Sequence, residues 1–199
     1  MKLIVNESTQ GTQHALQSPS TWIKRWAHLL KPRGTVLDVA CGHGRHAYYF
    51  HQLGHPVTVV DRALEAIESI AIDASVCEKV VADIENDAWP LAGRKFDAVV
   101  VTNYLWRPLL PQLLACIGEC GVLIYETFAA GNETVGRPKR PDFLLQPGEL
   151  LQVCKSLRIV AFEDGYSSGN DGSTRFVQRI IAVRECVVGQ LPPRYKLAE

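Results

Sequence analysis

In the stretch Val36-Leu37-Asp38-Val39-Ala40-Cys41-Gly42-His43-Gly44-Arg45 a carboxylate sits inside an apolar run and two glycines follow it. Where a buried strand runs into a glycine turn and then a helix, the backbone can approach a ligand closely, because Gly42 and Gly44 put no side chain in the way. A charge at Asp38 is costly there without a partner, and a ligand ammonium is a suitable one. Two more acids end apolar runs: Asp61 in Val59-Val60-Asp61-Arg62, and Asp83 in Ala82-Asp83-Ile84. Such acids accept hydrogen bonds from ligand hydroxyl or amino groups, or merely cap the helix that follows. Thr102-Asn103-Tyr104-Leu105 follows a fourth run, at the strand end where ligands lie in open α/β sheets. Tyr104 and Trp106 are either core aromatics or faces for a bound cation.

Gly42-His43-Gly44-Arg45-His46-Ala47 also reads as G-x-G-x-x-A, a dinucleotide fingerprint. Asp61 would then take a ribose, and Arg62 a 2′-phosphate. Two features oppose this: Asp38 would face the pyrophosphate, and the end of the chain does not supply a second nucleotide-binding half.

The elements that must hold these residues alternate from residue 35 onward. Strand-length apolar runs fall at 35–39, 57–60, 79–82, 96–101 and 122–125, with helical patterns at 44–53, 64–72 and 109–117 between them. That alternation predicts a mostly parallel sheet with helices on both faces. The run at 96–101 is continuously apolar and so central. Pro108 and Pro111 belong near a first helical turn. Two late strands, 158–162 and 176–183, flank a turn at 167–173 rich in Gly, Asn, Asp and Ser, and form an antiparallel hairpin at one edge. The expectation is a single Rossmann-like α/β domain with a seven-stranded sheet. Ser20 caps a helix over 20–30 whose apolar face carries Trp22, Ile23, Trp26, Leu29 and Leu30. Pro147 opens another helix, carrying Leu150, Leu151 and Cys154.

These residues resemble the motifs of the class I S-adenosylmethionine (SAM)-dependent methyltransferases, over about 35–183. The resemblance implies that Asp38, Ala40, Gly42 and Gly44 hold the methionine end of SAM. It implies that Asp61 accepts the ribose hydroxyls, with Arg62 beside it, and that Asp83 meets the adenine amino group with Ile84 as an apolar wall. Asn103 and Tyr104 would line the methyl-transfer site as the catalytic positions, Asn103 also touching the cofactor. The loop Cys41-Gly42-His43-Gly44-Arg45 is similar to the C-G-x-G-R form of the compact tellurite-resistance and thiopurine methyltransferases. The implied reaction moves a methyl group from SAM to a small-molecule acceptor and leaves S-adenosylhomocysteine. Arg107, Tyr125 and Glu126 are acceptor-side candidates. His43 is a candidate for the pocket, whereas His46 packs on its helix.

The 199 residues carry no formal net charge, and 47% are apolar against 21% charged. A nucleic-acid partner is disfavoured, because phosphate binding draws on a basic excess. Asn103-Tyr104-Leu105-Trp106 also departs from the N-P-P-Y pattern of amino-group methylation, which weighs against an RNA or protein acceptor. A nucleotide-sensing module without chemistry is the remaining alternative. The apolar run 3–5 is too short for a secretory signal and no stretch is long enough to span a bilayer, so a cytoplasmic protein is expected. Six scattered cysteines read as reduced and buried. Cys116 and Cys120 would share a helix face without completing a zinc site, so no metal is expected. The segment 128–146 has no period and holds Asn132, Glu133, Arg137, Lys139 and Arg140; a lid that favours an anionic or polar acceptor is one reading, a solvated loop the other.

Overall fold

The computed structural model describes residues 18–168, 174–186 and 193–197. The apolar run 3–5 and residues 169–173 of the late turn lie outside them. Seven strands form one sheet: β1 (Val36–Val39), β2 (Val57–Asp61), β3 (Cys77–Val81), β4 (Phe96–Thr102), β5 (Ile117–Phe128), β6 (Arg158–Ser168) and β7 (Thr174–Val183). Their order is β3-β2-β1-β4-β5-β7-β6. The first five strands pair in parallel, and β7 is antiparallel to both β5 and β6. The strand order reverses between β1 and β4, and their carboxyl ends open a crevice there.

Each face of the sheet buries its own core, because side chains alternate along a strand. Val36, Val59, Val100 and Ile124 face one side, packed under Trp22, Ile23 and Trp26 of α1 (Thr21–Trp26) and Ala47 and Phe50 of α2 (Arg45–Gln52). Leu37, Val99, Leu123 and Tyr125 face the other, under Leu110 and Leu113 of α4 (Leu110–Cys116) and Leu150 of α5 (Glu149–Val153). Asp38 lies between Leu37 and Val39, so its side chain enters the α1–α2 side. Ser20 caps α1, its Oγ accepting from Trp22 N–H at 3.1 Å. Pro111 lies in the first turn of α4 and Pro108 in the 3-10 turn before it.

Several boundaries differ from the sequence expectation. The helix expected over 20–30 is α-helical only to Trp26 and finishes as a 3-10 turn, Ala27–Leu29. The helix expected over 64–72 is only α3 (Leu64–Glu68); Ile70 and Ile72 are buried without it. The helix after Pro147 starts at Glu149, behind a left-handed Gly148. The strand expected at 122–125 spans Ile117–Phe128, because a register shift between Phe96 and Ala98 absorbs residues on its β4 side and antiparallel pairing to β7 continues to Phe128↔Val177. The same hairpin pairing carries β6 to Ser168 although much of it faces solvent.

The cysteine reading needs correction. Cys41, Cys77, Cys116 and Cys154 are free and buried, but Cys120 and Cys186 form a disulfide. Cys116 ends α4 while Cys120 lies on β5, so the two share no helix face. Among the described residues no helix is long and apolar enough to cross a membrane.

Candidate functional site

The loop from β1 to α2 is built by left-handed residues. Ala40, Gly42 and Gly44 have φ of 51°, 53° and 75°. A Cβ at Gly44 would lie 2.8 Å from Ile70 Cδ1, so this glycine lets the loop pack against the segment after α3. A Cβ at Gly42 would meet nothing within 4 Å; there the missing side chain leaves open space. Gly44 thus serves packing and Gly42 serves access.

Asp38 is 1% exposed, and its Oδ2 has no hydrogen-bond partner. Burial pushes its carboxyl up to about 7, against the pull of the Arg45 guanidinium and the Ala47 N–H, with Asp61 adding a smaller repulsion. A buried acid with an orphaned oxygen is a site awaiting a cationic or donor partner. His46 lies beside it. Its Nε2 accepts the Ser20 N–H at 3.2 Å, and its Nδ1 stands 3.5 Å from Thr102 Oγ1 and 4.0 Å from Asp38 Oδ1. Burial, helped by Arg45, brings His46 down to about 3. The ring is therefore neutral, and with Nε2 accepting, its proton sits on Nδ1, toward Asp38 and Thr102.

Beyond the loop a cleft of about 180 Å³ opens at the ends of β1 to β4, lined by Ala40, Asp61, Arg62, Asp83, Ile84, Glu85 and Tyr104. Asp61 is braced on both oxygens: Oδ2 accepts Gly42 N–H and Oδ1 accepts Ala63 N–H, each at 2.9 Å. Asp83 caps its own turn, accepting from Glu85 N–H at 3.1 Å and Asn86 Nδ2 at 2.9 Å; the Asn86 side chain first, then the Glu85 amide, lower its pKa. Ile84 is buried and forms an apolar wall. Tyr104 leaves its hydroxyl without a hydrogen-bond partner; burial first, then the Glu85 and Asp83 charges, push its ionisation far up, so it remains a phenol. Asn103 is exposed and not among the residues that line the cleft, left-handed at φ 54°, its N–H donating to Glu126 O at 3.0 Å.

The acceptor-side candidates are otherwise engaged. Tyr125 is fully buried in the opposite core, its hydroxyl donating to Tyr104 O at 2.8 Å. Glu126 is 1% exposed, accepting from the Ser20 hydroxyl and from Arg179 Nε, the latter at 2.8 Å. Arg107 grips Glu149 through Nε and Nη2 at 2.8 and 2.9 Å, and donates to Asp142 O and Leu144 O. It therefore ties down segment 128–146, whose Asn132 is buried and bonded to Pro138 O and Phe176 N–H. Arg140 pairs with Asp142 at the surface, and His43 with Ser69 Oγ. Trp22 and Trp26 are core residues.

Sequence reading missed the polar chain beneath the crevice, Ser20–Glu126–Arg179 with His46 and Arg45. The signal present was Glu126 itself: an acid continuing a buried apolar strand must find a cation, and Arg179 stands directly across from it in the β5–β7 register.

Residues 36–120 match a family model described as a methyltransferase domain. No curated protein matches the chain. Among solved structures, TehB from Haemophilus influenzae superposes with a TM-score of 0.66 at 18% identity, over 79% of this chain and 59% of TehB. The chain thus corresponds to rather more than half of that protein's length. A SAM-dependent methyltransferase from Methanosarcina mazei gives 0.64 at 15% identity, over 85% of this chain and 99% of that one. Coclaurine N-methyltransferase bound to N-methylheliamine and S-adenosylhomocysteine gives 0.61 at 14% identity, over 81% and 70%.

Proposed function

We propose that this chain, which carries a methyltransferase domain over residues 36–120 on the fold of the class I SAM-dependent methyltransferases, binds SAM in the crevice of Asp38, Asp61 and Asp83 and methylates a small polar acceptor. The observation that carries the reading is the sealed, orphaned Oδ2 of Asp38, two residues before Ala40 in a cleft edged by three further carboxylates, Asp61, Asp83 and Glu85. This donor set fits a ligand with a cationic amino-acid end and a nucleoside end. Asp38 receives the ammonium, Asp61 the ribose hydroxyls, Asp83 the adenine amino group, and Ile84 packs against the ring.

The cofactor supplies a methyl group already activated on a sulfonium, so the protein's work is alignment and exclusion of water. Ala40 and Gly42 hold the loop open where the ligand enters. Tyr104 offers an aromatic face and a phenol that does not ionise. Asn103, exposed and next to Tyr104, would face the acceptor. His46 has its Nε2 occupied by the Ser20 N–H, and both Glu126 oxygens are engaged, by the Ser20 hydroxyl and by Arg179. The acceptor best served is therefore one that arrives nucleophilic, such as a thiolate or carboxylate, without a general base.

Calorimetry with SAM, S-adenosylhomocysteine and NADPH tests this. The adenosyl ligands should bind, and Asp61→Ala should weaken them by about 1–3 kcal/mol, the cost of a lost hydrogen-bond partner for polar hydroxyls. Binding of NADPH without SAM would overturn the reading. A labelled-methyl screen over thiols, amines and carboxylates then identifies the acceptor.

A further inference from the structure

His28 places both of its ring nitrogens against backbone carbonyls. It lies in the 3-10 turn that follows α1. Its Nδ1 stands 3.0 Å from Arg25 O, and its Nε2 stands 2.9 Å from Lys196 O. A carbonyl oxygen can only accept, and a neutral imidazole carries a single N–H. Both contacts are hydrogen bonds at once only when the ring is an imidazolium. A neutral ring sets a nitrogen lone pair against one of the two oxygens. Turning the ring over would point carbons at both carbonyls and lose both bonds.

The second carbonyl belongs to a segment far along the chain. Residues 193–197 come to this turn, and Tyr195 packs half-buried against the core that holds Trp26 and Leu30. Cys186, tied to Cys120 of β5, anchors the chain just beyond β7. At the opposite end of α1, Ser20 gives its N–H to His46 and its hydroxyl to Glu126 beneath the crevice. A strap across the far end of α1 therefore bears on the element that reaches the crevice floor.

The two carbonyls are the main support for a charge on His28. Among the described residues no carboxylate stands within 4.0 Å of it. The charged residues on its own stretch are Lys24, Arg25, which pairs with Glu163 of β6, and Lys31, which pairs with Asp97 of β4. The strap brings Arg194, Tyr195 and Lys196. Tyr195 feels the charges of Glu185 and Arg158, themselves paired at 3.3 Å. Each of these acids is thus already matched to an arginine or lysine. The Trp26 ring, stacked on the imidazole at 5.9 Å, also favours a cation.

We propose that His28 is the clasp of a pH-gated C-terminal strap: its imidazolium holds residues 193–197 against the end of α1, and the strap loosens when the ring loses its proton. The bonds are complete on the acid side of the imidazole's titration, and one is lost on the alkaline side. The strap is the partner that gives way. Arg25 lies three residues before His28 on the same stretch, whereas Lys196 is exposed and belongs to no helix or strand.

Nitrogen-15 NMR of the full chain tests this across the range in which histidines change charge, about pH 5 to 8. At the acid end both His28 ring nitrogens should carry a proton, and backbone order parameters at Tyr195 and Lys196 should lie near the rigid value of about 0.85. At the alkaline end they should fall below about 0.6, the flexible range. His28→Gln offers an amide that does not titrate, so its strap should show no pH dependence. His28→Ala should leave the strap loose at both ends of the range. His28 is exposed, so both variants should fold, and Asp38 titrates in all three proteins alike. Order that stays constant with pH in the unmodified protein, or that changes equally in His28→Gln, overturns the clasp. So does a singly protonated His28 ring beside an ordered strap, a result that needs no variant.

Discussion

His46 Nδ1 stands 4.0 Å from Asp38 Oδ1, and both side chains are all but sealed from solvent. With His46 held down to about 3 and Asp38 raised to about 7, mainly by burial in each case, the contact is not an ion pair at neutral pH. It is a neutral imidazole beside a carboxyl that gains or loses a proton near neutrality. Asp38 has a folded pKa above its ordinary value of 3.8, so between about 4 and about 7 the folded chain holds a proton the unfolded chain has released. Stability of the ligand-free chain from this group therefore falls as pH rises through that window. Ligand binding has the opposite sign: an ammonium needs the carboxylate, so affinity for S-adenosylhomocysteine should drop below about pH 7, by up to about tenfold per unit, with proton release on binding. Calorimetry in buffers of different ionisation enthalpy measures that proton. Asp38→Asn should bind weakly and with a flat profile; a flat profile in the unmodified chain would contradict the assignment.

The two loop glycines should fail in different ways. Gly44→Ala puts a Cβ 2.8 Å from Ile70 Cδ1 in a left-handed backbone, so it should lower stability by about 2–4 kcal/mol. Gly42→Ala meets no atom within 4 Å and should cost only the left-handed strain, about 1–2 kcal/mol. On the proposed binding mode its methyl would occupy open space that the loop leaves for the cofactor, so affinity should suffer more than stability. Thermal melts and cofactor titrations on the same two proteins separate the effects. Equal melting temperatures with equal affinities would refute the division of roles.

The sheet was legible because its information is local. Asp38 sits inside one apolar run and Asp61 and Asp83 end two others, and both the alternation and the late hairpin follow from spacing. Of the residues that the motifs single out, Ala40, Asp61, Arg62, Asp83, Ile84 and Tyr104 line one cleft, whereas Asp38, Gly42, Gly44 and Asn103 are not among its lining residues. What was not legible depends on tertiary partners. Tyr125 and Glu126 are adjacent, yet strand alternation sends one into the far core and the other to Arg179, and no local pattern distinguishes a rim residue from a buried network. Arg107 reads as an acceptor-side candidate in sequence, but its partners lie 35 to 42 residues away. The length of β5 is set by its pairing to β7 rather than by its own composition.

The disulfide joins Cys120 on β5 to Cys186, just beyond β7, across a separation of 66 residues. Closing a loop of that length in the unfolded chain contributes on the order of 4 kcal/mol in the chain-entropy account. Reduction, or Cys120→Ser, should lower the melting temperature, and reductant should add nothing further to the variant. The unfolded, unreduced protein should titrate with four thiols, those of Cys41, Cys77, Cys116 and Cys154. Six reactive thiols would mean that the bond is absent.

Arg107 should prove to be a clamp rather than an acceptor ligand. Its guanidinium holds both oxygens of Glu149, at the start of α5, and the carbonyls of Asp142 and Leu144, in the segment that leads to it. Arg107→Ala removes all four bonds and leaves Glu149 with only its contact to Gln146 N–H at 2.8 Å. The pair is partly open to solvent, so the loss should be modest, about 1–2 kcal/mol. Its local effect should be larger than that figure suggests, because a segment with little regular structure depends on such ties for its order. Limited proteolysis between residues 134 and 142 should accelerate several-fold in Arg107→Ala, while affinity for S-adenosylhomocysteine changes by less than about twofold, since none of its three partner residues, Asp142, Leu144 and Glu149, lines the cleft of Asp61 and Asp83. Loss of cofactor affinity with unchanged proteolysis would place Arg107 back in the site and remove its role as a tether.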